Sequence, residues 1–437
     1  MHNSKCIIHN ESRRMKDSGI DWIGEIPEDW EICKIKYLFD IDKNKLPENT
    51  EEDYTFNYID ISSVNELGQI SNAKHMIFEK SPSRARMIVS QGDIIVSTVR
   101  TYLKAIARIN ESNKYICSTG FAVLTPSKKI NSKFAYYQVQ SEYLIQEIVS
   151  RSVGVSYPAI SSTAIGTIYL VIPNVQKQQR IADYLDQKCF EIDKVIAAKE
   201  KQNELLKEQR QSIIYEAVTK GLNKNVKFKD SGIEWIGEIP EDWEVRKLKY
   251  LCKNITEKAK VYEDNSQDLI MYLGLEHIEQ QTGKVESSYE PIYDFNGDTI
   301  IFSKNDIIFG KLRPYLAKCY LTETDGKCSS EFFVLRPEGS IIAKYLKYLM
   351  LSRGFIDYVN SSTLGVKMPR ADWGFVGNIF IPYTKVATQR LIADYLDQKC
   401  GELDRIISSN NEMLIKLKEY RQSIIYEAVT GKVQISS

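Results

Sequence analysis

The sequence contains an internal duplication. The segment DSGIDWIGEIPEDWE begins at Asp17 and DSGIEWIGEIPEDWE begins at Asp230, and the two differ only at Asp21 and Glu234. A second pair of shared segments closes each half, namely IADYLDQKC at 181–189 and 392–400 and RQSIIYEAVT at 210–219 and 421–430. The unshared middles differ in length by only two residues. The chain is therefore predicted to fold as two related units with a common frame.

Each half ends in a segment predicted to be a long amphipathic helix. No Gly or Pro occurs from Gln178 to Thr219, and apolar residues recur there at heptad spacing, as they do in the second copy. This spacing predicts a seam against a partner helix. The seam residues are Leu185, Cys189, Ile192, Ile196, Leu206, Ile213 and Ala217 in the first copy, and Leu396, Cys400, Leu403, Ile407, Leu414, Leu417, Ile424 and Ala428 in the second.

Polar residues interrupt this apolar stripe. Two interpretations stay open: they fix the register of the helix pair, or they are simply tolerated. The interruptions are Lys199, Asn203, Arg210, Asn410 and Arg421.

The middle segments have the pattern of mixed α/β domains. Short β-branched runs such as GDIIVSTV from Gly92 and NDIIFGKL from Asn305 predict strands. Because only a short linker follows the first helix, we expect the second unit at the far end of that helix and the second helix to run back. The predicted fold is α+β, with two α/β domains separated by two long antiparallel coiled-coil helices and a pseudo-twofold internal repeat. The expected boundaries are a polar tail at 1–15, domains at 16–173 and 222–383, and helices at 174–221 and 384–437.

Composition excludes several classes of protein. The 58 Lys and Arg balance the 58 Asp and Glu, so any DNA contact must come from local patches. The eight Cys form no CxxC pair and only four His occur, which argues against zinc and disulfides and favours a reducing cytoplasm. No apolar run reaches the roughly 18 residues that a spanning helix needs. The polar start lacks a signal peptide, and Met15 remains an alternative first residue.

No catalytic motif is present. The chain lacks GxxxxGK[ST] and the Asn-Pro-Pro-aromatic tetrad of adenine methyltransferases. The repeated DQK at 186–188 and 397–399 lies in the heptad helix, which favours a solvated helix face over a metal site. We therefore expect no catalytic residue, no metal site and no cofactor bound by this chain.

Each middle segment carries a basic patch at a matching place. From 84 to 108 the only acid among five cations is Asp93, and from 304 to 318 four cations oppose Asp306. Arginine can bind guanine or phosphate, and hydroxyl groups add further DNA contacts, whereas the alternative is a solvated surface. The candidate DNA-binding residues are Arg84, Arg86, Ser97, Thr98, Arg100, Tyr102 and Lys104 in the first unit, and Lys311, Arg313, Tyr315 and Lys318 in the second.

The repeated tryptophans are interpreted as core anchors. Large aromatic residues that bracket a Pro turn, as in GEIPEDW, most often hold an irregular segment on a core. Contact with a partner protein is the alternative for Trp22, Trp30, Trp235 and Trp243.

These segments together resemble the specificity subunit of Type I restriction-modification systems. The resemblance covers residues 16–432 and rests on the opening repeat, on RPYL followed by CSSEFFVLRP, and on IADYLDQK leading to RQSIIYEAVTGK. The first unit departs from it with VRTYLK and CSTGFAVLTP. The resemblance also implies a DNA-facing loop in GVSYPAI and GVKMPRA, with Ser156, Tyr157, Lys367 and Arg370 as candidates.

The resemblance implies a non-catalytic subunit that binds double-stranded DNA. Each domain would read half of a bipartite asymmetric site, while the helices would set the spacer and dock two modification (methyltransferase) subunits. Restriction subunits would join the complex, and S-adenosylmethionine, ATP and Mg would be bound by the partners. Two alternatives stay open: a stand-alone DNA-modifying enzyme, or a coiled-coil adaptor without DNA contact.

Overall fold

The computed structural model describes residues 7–8, 13–258, 271–290, 298–363 and 368–435. The chain divides into two compact units. Unit 1 comprises Met1–Glu200 and Asn411–Ser437, and unit 2 comprises Lys201–Asn410. The division falls inside both long helices, so each unit contains one segment of each helix.

The strands follow one another in nearly the same order in the two units. Those of unit 1 are β1 (Ile7–Ile8), β2 (Met15–Asp17), β3 (Glu25–Pro27), β4 (Glu31–Lys34), β5 (Phe39–Ile41), β6 (Thr55–Ile59), β7 (Lys74–Ile77), β8 (Ala85–Ile88), β9 (Ile94–Ser97), β10 (Ile106–Arg108), β11 (Tyr115–Ser118), β12 (Phe121–Pro126) and β13 (Tyr169–Ile172). Those of unit 2 are β14 (Phe228–Asp230), β15 (Glu238–Pro240), β16 (Glu244–Lys247), β17 (Cys252–Ile255), β18 (Met271–Leu273), β19 (Thr299–Phe302), β20 (Ile307–Gly310), β21 (Cys319–Leu321), β22 (Gly326–Ser329), β23 (Phe332–Pro337) and β24 (Phe380–Tyr383), and β25 (Gln434–Ile435) returns to unit 1.

The helices repeat in the same way. They are α1 (Ser132–Gln140), α2 (Glu142–Ser150), α3 (Ser162–Gly166), α4 (Val175–Lys220), α5 (Ala343–Leu351), α6 (Arg353–Ser361), α7 (Trp373–Val376) and α8 (Val386–Val429). The long helices α4 and α8 have 46 and 44 residues and coincide with the predicted amphipathic segments.

Two sheets form the middle of each unit. In unit 1 the order is β10-β9-β12-β5 in one sheet and β7-β6-β11-β8 in the other, and β6 and β11 run parallel. Unit 2 repeats these as β17-β23-β20-β21 and β18-β22-β19, with β18 and β22 parallel. The shared frame adds the pairs β4–β13 and β16–β24. The predicted α+β fold is confirmed, and the predicted strands appear as β9 and β20.

The frame tryptophans belong to the cores of the two units. Trp30 and Trp243 are 2% and 3% exposed, and Trp235 is also buried, whereas Trp22 is half-buried. Trp30 packs in the cluster that includes α1 and the unit 1 segments of the long helices, and Trp243 packs in the equivalent cluster of unit 2. The interpretation of these tryptophans as core anchors is confirmed.

The polar tail takes part in unit 1. Strand β1 pairs with β25 near the other end of the chain. The Arg13 guanidinium contacts the carboxylate of Asp29 at 3.2 Å and lies over the ring of Trp30. A chain beginning at Met15 would therefore lose contacts that join both ends of the sequence within this unit.

Candidate functional site

Two equivalent turns lie at the ends of β9 and β20. We call residues 100–104 the Arg100 turn and residues 313–317 the Arg313 turn. Arg100 and Lys104 have φ angles of +52° and +54°, and Arg313 and Ala317 have +51° and +48°. Non-glycine residues with positive φ are uncommon and persist only where the surroundings hold them. Such strain is concentrated at functional sites, and here it occurs twice at matching positions.

A neighbouring loop holds each turn. The backbone N–H of Arg100 donates to the carbonyl of Pro158 at 2.8 Å, and that of Arg313 donates to Pro369 at 2.8 Å. Isolated β-bridges join Val99 to Ala159 and Leu312 to Arg370. The structure therefore brings the basic turn of unit 1 together with the GVSYP loop, and that of unit 2 together with Pro369 and Arg370.

The Arg100 turn presents an exposed group of aromatic and basic side chains. The Arg100 guanidinium lies 4.5 Å from the ring centroid of Tyr157. Tyr102 and Tyr157 are 52% and 63% exposed, and Ser156 is exposed beside them. The Lys104 ammonium is engaged by Glu142 at 2.8 Å. Arg100, Tyr102, Ser156 and Tyr157 thus form one accessible surface.

The Arg313 turn keeps the arginine and tyrosine but changes their neighbours. Arg313 and Tyr315 are exposed, and the Arg370 guanidinium is paired with the Glu331 carboxylate. The Lys318 ammonium donates to the carbonyl of Leu275 at 2.7 Å. Lys367 lies outside the described residues. Arg313, Tyr315 and Arg370 are therefore the accessible members of this group.

Burial also distinguishes Lys311 from the exposed candidates. Its ammonium donates to the Ser330 carbonyl at 2.7 Å and lies over the ring of Phe333. Burial lowers the pKa of Lys311 below its usual value. Its backbone carbonyl accepts a hydrogen bond from the N–H of Ala371. Lys311 therefore has a structural role beside the Arg313 turn.

Ser97 and Thr98 differ from the expectation of solvent-facing contacts. Both are buried; the Ser97 hydroxyl donates to the Val99 carbonyl at 2.7 Å and the Thr98 hydroxyl donates to the Gly120 carbonyl at 2.9 Å. A hydroxyl group already bonded inside the protein costs free energy to redirect. These two residues hold the base of the Arg100 turn and do not face solvent.

Arg84 immediately precedes β8 and Arg86 lies on it, in the other sheet of unit 1. Arg84 is exposed and pairs with Asp60 at 2.9 Å, while Arg86 is half-buried over the ring of Phe78. The Arg84 carbonyl accepts from the N–H of Thr119, which neighbours the Gly120 that bonds Thr98. Arg84 is thus connected through backbone contacts to the Arg100 turn.

Sequence reasoning missed the acidic partners and the proline carbonyls. Glu142 and Glu331 neutralise one cation beside each turn, and they occupy unrelated places in the sequence. The repeated proline of GVSYP and GVKMP was a usable signal for the residues that hold the arginine backbones.

A buried ion pair joins the long-helix segments of unit 1. Arg421 on α8, with a side chain 3% exposed, contacts Asp193 on α4 at 2.8 Å. It also contacts the Gln140 side chain of α1 at 3.4 Å. Lys418 approaches Glu200 at 3.9 Å, so residue numbers rise along α4 as they fall along α8. The two helix segments of unit 1 are antiparallel.

The equivalent pair of unit 2 is Arg210 and Asp404, at 3.1 Å. Arg210 also donates to the backbone carbonyls of Gln281 and Thr282, at 2.7 and 3.0 Å, and Lys284 reaches Asp404 at 2.7 Å. In unit 2, the arginine that both long helices share therefore hydrogen-bonds directly to the backbone of the middle domain.

Asn203 and Asn410 hydrogen-bond to each other within unit 2. Their side chains are buried and 2.9 Å apart. With the Arg210–Asp404 pair, this contact fixes an antiparallel alignment of the unit 2 helix segments. Of the two interpretations of the polar interruptions, register fixing is the one that these contacts favour for Asn203, Arg210, Asn410 and Arg421.

None of the predicted seam residues is exposed. Those that are buried are Leu185, Cys189, Ile192, Ile196, Ala217, Leu396, Cys400, Leu403, Ile424 and Ala428, and those of intermediate burial are Leu206, Ile213, Ile407, Leu414 and Leu417. The stripe is wider than predicted, because Ile214 and Ile425 are both 0% exposed. The neighbouring positions pack against the middle domains, which a two-helix pattern does not anticipate.

The aspartates of the DQK segments join the long helices to the short helices of the middle domains, so these segments are not merely a solvated face. Asp186 accepts from the Tyr137 hydroxyl at 2.9 Å and pairs with Lys133 at 2.5 Å. Asp397 accepts equivalently from Tyr348 at 2.6 Å and pairs with Lys344 at 2.7 Å. Within the described residues, no group of His, Cys, Asp and Glu is arranged to hold a metal ion.

Two further findings bear on the class of protein. Over the part of the chain that the structure describes, no helix is both long and apolar enough to cross a membrane. The described cysteines are free thiols.

Comparison with known proteins gives consistent matches. The family described as Type I restriction modification DNA specificity domain matches residues 27–208 and 240–419. The specificity subunit of the Type I restriction enzyme EcoDI from Escherichia coli is 23% identical over 430 residues, covering 94% of this chain and 90% of that protein. The MjaVIII specificity subunit of Methanocaldococcus jannaschii is also 23% identical, covering 94% and 95%.

A solved structure shows the same fold. It is described as addressing complex assembly and conformational transition of the type I R-M system. One of its chains superposes with a TM-score of 0.67 at 19% sequence identity, covering 93% of this chain and 99% of that chain.

Proposed function

Since the chain belongs to the specificity subunits of Type I restriction-modification enzymes, which are non-catalytic DNA-recognition components, we propose that each unit reads one half of a bipartite DNA site. The observation that carries this proposal is the pair of equivalent turns, each with an exposed arginine in a left-handed conformation. A fixed backbone reduces the entropy lost when the side chain binds. The two units differ in the surrounding side chains, which supports recognition of different bases.

The exposed residues of each turn are the proposed DNA contacts. Arg100 and Arg313 are suited to bidentate contact with guanine or to clamping a phosphate. Tyr102, Tyr157 and Tyr315 offer hydroxyl groups beside them. Arg370 is also available, although Glu331 neutralises part of its charge.

The long helices are proposed to dock two methyltransferase subunits. Both carry exposed apolar side chains that a monomer would leave in water: Val195 and Ile406, 45% and 44% exposed, occupy equivalent positions, as do Val175 and Val386. Exposed apolar groups that recur on a duplicated frame favour two copies of one partner. Restriction subunits are proposed to join the same complex.

The catalytic reactions are assigned to the methyltransferase and restriction subunits. We propose that S-adenosylmethionine, ATP and Mg are bound by the methyltransferase and restriction subunits, while this chain supplies recognition and spacing. The helices are proposed to set the gap between half-sites, because 46 residues correspond to about 69 Å at 1.5 Å per residue.

The proposal is tested by mapping methylated adenines in DNA from cells that carry this chain and its methyltransferase. The expected result is a bipartite asymmetric site with a fixed gap. Arg313→Ala should reduce the specificity for bases in one half of the DNA site only. A continuous, unsplit site, or unchanged methylation with Arg100 and Arg313 both replaced by alanine, would contradict the proposal.

A further inference from the structure

A cavity of about 610 Å³ lies in unit 2 beside α4 and α6. Its volume falls in the range of protein ligand sites. Its lining combines aromatic and apolar groups: Tyr215, Trp235, Tyr315, Ala317, Leu351 and Gly354. Its rim carries the charged residues Lys207, Glu208, Arg353 and Asp357, whose formal charges cancel.

The shared frame residues that line this cavity recur in unit 1. The equivalent space in unit 1 is occupied by a side chain of the chain itself. Trp22, equivalent to Trp235, stacks on the ring of Tyr143 with centroids 4.9 Å apart. Tyr143 in turn meets the edge of Tyr426, the equivalent of Tyr215, at 6.2 Å. The Tyr143 hydroxyl donates to the side-chain oxygen of Gln138. One ring of the chain itself therefore lies between the shared tryptophan and tyrosine.

An ion pair adds to this filling in unit 1. Lys104, at the end of the Arg100 turn, contacts Glu142 on α2 at 2.8 Å. The equivalent residues of unit 2 are Ala317 and Arg353, which do not form such a pair.

Unit 2 replaces the ring with a glycine. Gly354 stands where Tyr143 stands, and a Cβ there would lie 3.0 Å from both the Trp235 and the Tyr215 rings. These two rings therefore contact the helix backbone directly, and the Phe355 ring meets Trp235 edge-on with centroids 6.0 Å apart. The remaining space opens between them and Tyr315.

We propose that this cavity receives an aromatic side chain of the methyltransferase subunit that docks on unit 2, an inference that rests on the docking role proposed above. An indole and two phenol rings offer faces and edges for a further aromatic ring. The cancelling rim charges favour a neutral group over a phosphate. Five of the lining residues, Lys207, Glu208, Gln211, Ser212 and Tyr215, belong to α4, the helix assigned to docking.

The same frame surface would then bind its partner unequally in the two units. Unit 1 supplies its own ring, whereas unit 2 takes one from the partner. Buried aromatic side chains are frequent hot spots of protein interfaces. The methyltransferase on unit 2 should therefore be held more tightly than the one on unit 1.

The first test closes the cavity with the ion pair that unit 1 uses. The double variant Ala317→Lys with Arg353→Glu reproduces the Lys104–Glu142 pair, and Lys104 shows that lysine adopts the required positive φ. Titration of the full chain with purified methyltransferase, followed by native mass spectrometry, should show at least about tenfold weaker binding of one of two copies. Lys253→Gln, at an exposed position of β17, makes the same net charge change and should bind normally.

The second test identifies the occupant. A p-benzoylphenylalanine photocrosslinker at Ser212, on the cavity rim, should join the chain to a methyltransferase peptide that contains an aromatic residue. Crosslinks to DNA, to a second copy of this chain, or to nothing within an assembled complex would overturn the inference. If the unchanged chain binds two methyltransferases and the closed variant binds them equally well, only this inference fails. If the unchanged chain binds none, the proposed docking role fails.

Discussion

The shared frame and the unshared middles differ in how closely their contacts repeat. In the frame, Gln178 donates to the Pro173 carbonyl at 2.8 Å and Gln389 donates to Thr384 at 2.7 Å. The aspartates of the two DQK segments accept from equivalent tyrosines, as described above. In the middles, by contrast, Lys104 pairs with Glu142, whereas the equivalent residues of unit 2 are Ala317 and Arg353 and form no such pair.

This difference separates the part of the molecule that is preserved in both units from the part that is not. Contacts that recur at equivalent positions preserve one frame geometry twice. Contacts that do not recur leave the recognition surfaces free to differ. The two units thus share one frame and differ in their middle domains, which is the arrangement that the proposed reading of two different half-sites requires.

The largest expected effect probes burial in the helix seam. Ile196 and Ile407 are equivalent, yet Ile196 is 0% exposed whereas Ile407 is half-buried. Ile196→Asp places an unpaired charge in the core of unit 1 and should cost more than about 4 kcal/mol of unfolding free energy, with loss of methyltransferase assembly. Ile407→Asp should cost less, since its carboxylate can reach water.

Chemical denaturation of the two variants, with native mass spectrometry of the complexes, measures this difference. Equal losses of unfolding free energy in the two single variants would show that the two positions are equally buried. A normal complex formed by the Ile196→Asp, Ile407→Asp double variant would show that the seam is wrongly assigned.

The next effect compares the two buried ion pairs. Asp193→Asn leaves the Arg421 cation with Gln140 at 3.4 Å, whereas Asp404→Asn leaves Arg210 with two backbone carbonyls at 2.7 and 3.0 Å. Breaking a buried pair costs about 3–5 kcal/mol. Asp193→Asn should therefore lie near the top of that range and Asp404→Asn nearer the bottom.

Native-state hydrogen exchange reports the two units separately and is the appropriate measurement. Glu191→Gln, an exposed charge change on the same helix, serves as the control for Asp193→Asn. A larger loss of unfolding free energy for Asp404→Asn than for Asp193→Asn would mean that the backbone carbonyls do not compensate the Arg210 charge.

Much of the frame could be predicted from the sequence, because the duplication and the heptad spacing are local patterns. Arg210 and Arg421 were visible as interruptions of an apolar stripe. Their aspartate partners were not, because Asp193 and Asp404 lie about 200 residues away in the sequence. The sequence did not indicate that Ile214 is buried in addition to the partly buried Ile213, because the middle domain packs against a second face of the helix.

The candidate DNA interface was only partly predictable. Arg100 and Arg313 follow from local charge and matching positions, and both are exposed. Ser97 and Thr98 could not be recognised as buried, because their hydroxyl groups are satisfied by backbone carbonyls that only the folded turn brings near. Nothing in the sequence indicated that Gly354 would leave a cavity where Tyr143 fills one.

A smaller effect separates the two recognition surfaces. Arg313→Ala should weaken binding of the assembled complex to its site by about 1–3 kcal/mol and relax a base in one half. Arg100→Ala should do the same in the other half. Lys249→Ala removes an exposed charge from the shared frame and should leave both halves unchanged.

DNA binding measured over a range of salt concentrations distinguishes base contacts from phosphate contacts. A uniform loss of affinity across sequences, with a shallower salt dependence, would reassign Arg313 to a phosphate. Relaxation of the same half by both alanine variants would contradict separate reading.

The smallest expected effect concerns acid stability of unit 2. Although burial acts to raise it, hydrogen bonds from Lys344 and Tyr348 leave the pKa of Asp397 below its usual value of 3.8. A carboxyl group with a lowered pKa stabilises the fold above its unfolded pKa, and this contribution is lost as pH falls through the folded value. Lys344→Met should lower stability at pH 7 by about 0.2–1 kcal/mol and by less at pH 3.

Thermal unfolding of both proteins at pH 7 and pH 3 checks this sign. The two midpoints should converge at pH 3. A gap that widens with acid would mean that Lys344 does not act through the Asp397 carboxylate.

The central claim is that one frame carries two independent readers, and an exchange of one middle tests it most directly. Residues 45–168 would be replaced by the same region of a related specificity subunit, which keeps β13 paired with β4. Methylated adenines would then be mapped in cells that carry the chimaera and its methyltransferase. If the two units read independently, one half-site changes while the other half and the gap are retained; a site in which both halves change would mean that the units do not read separately.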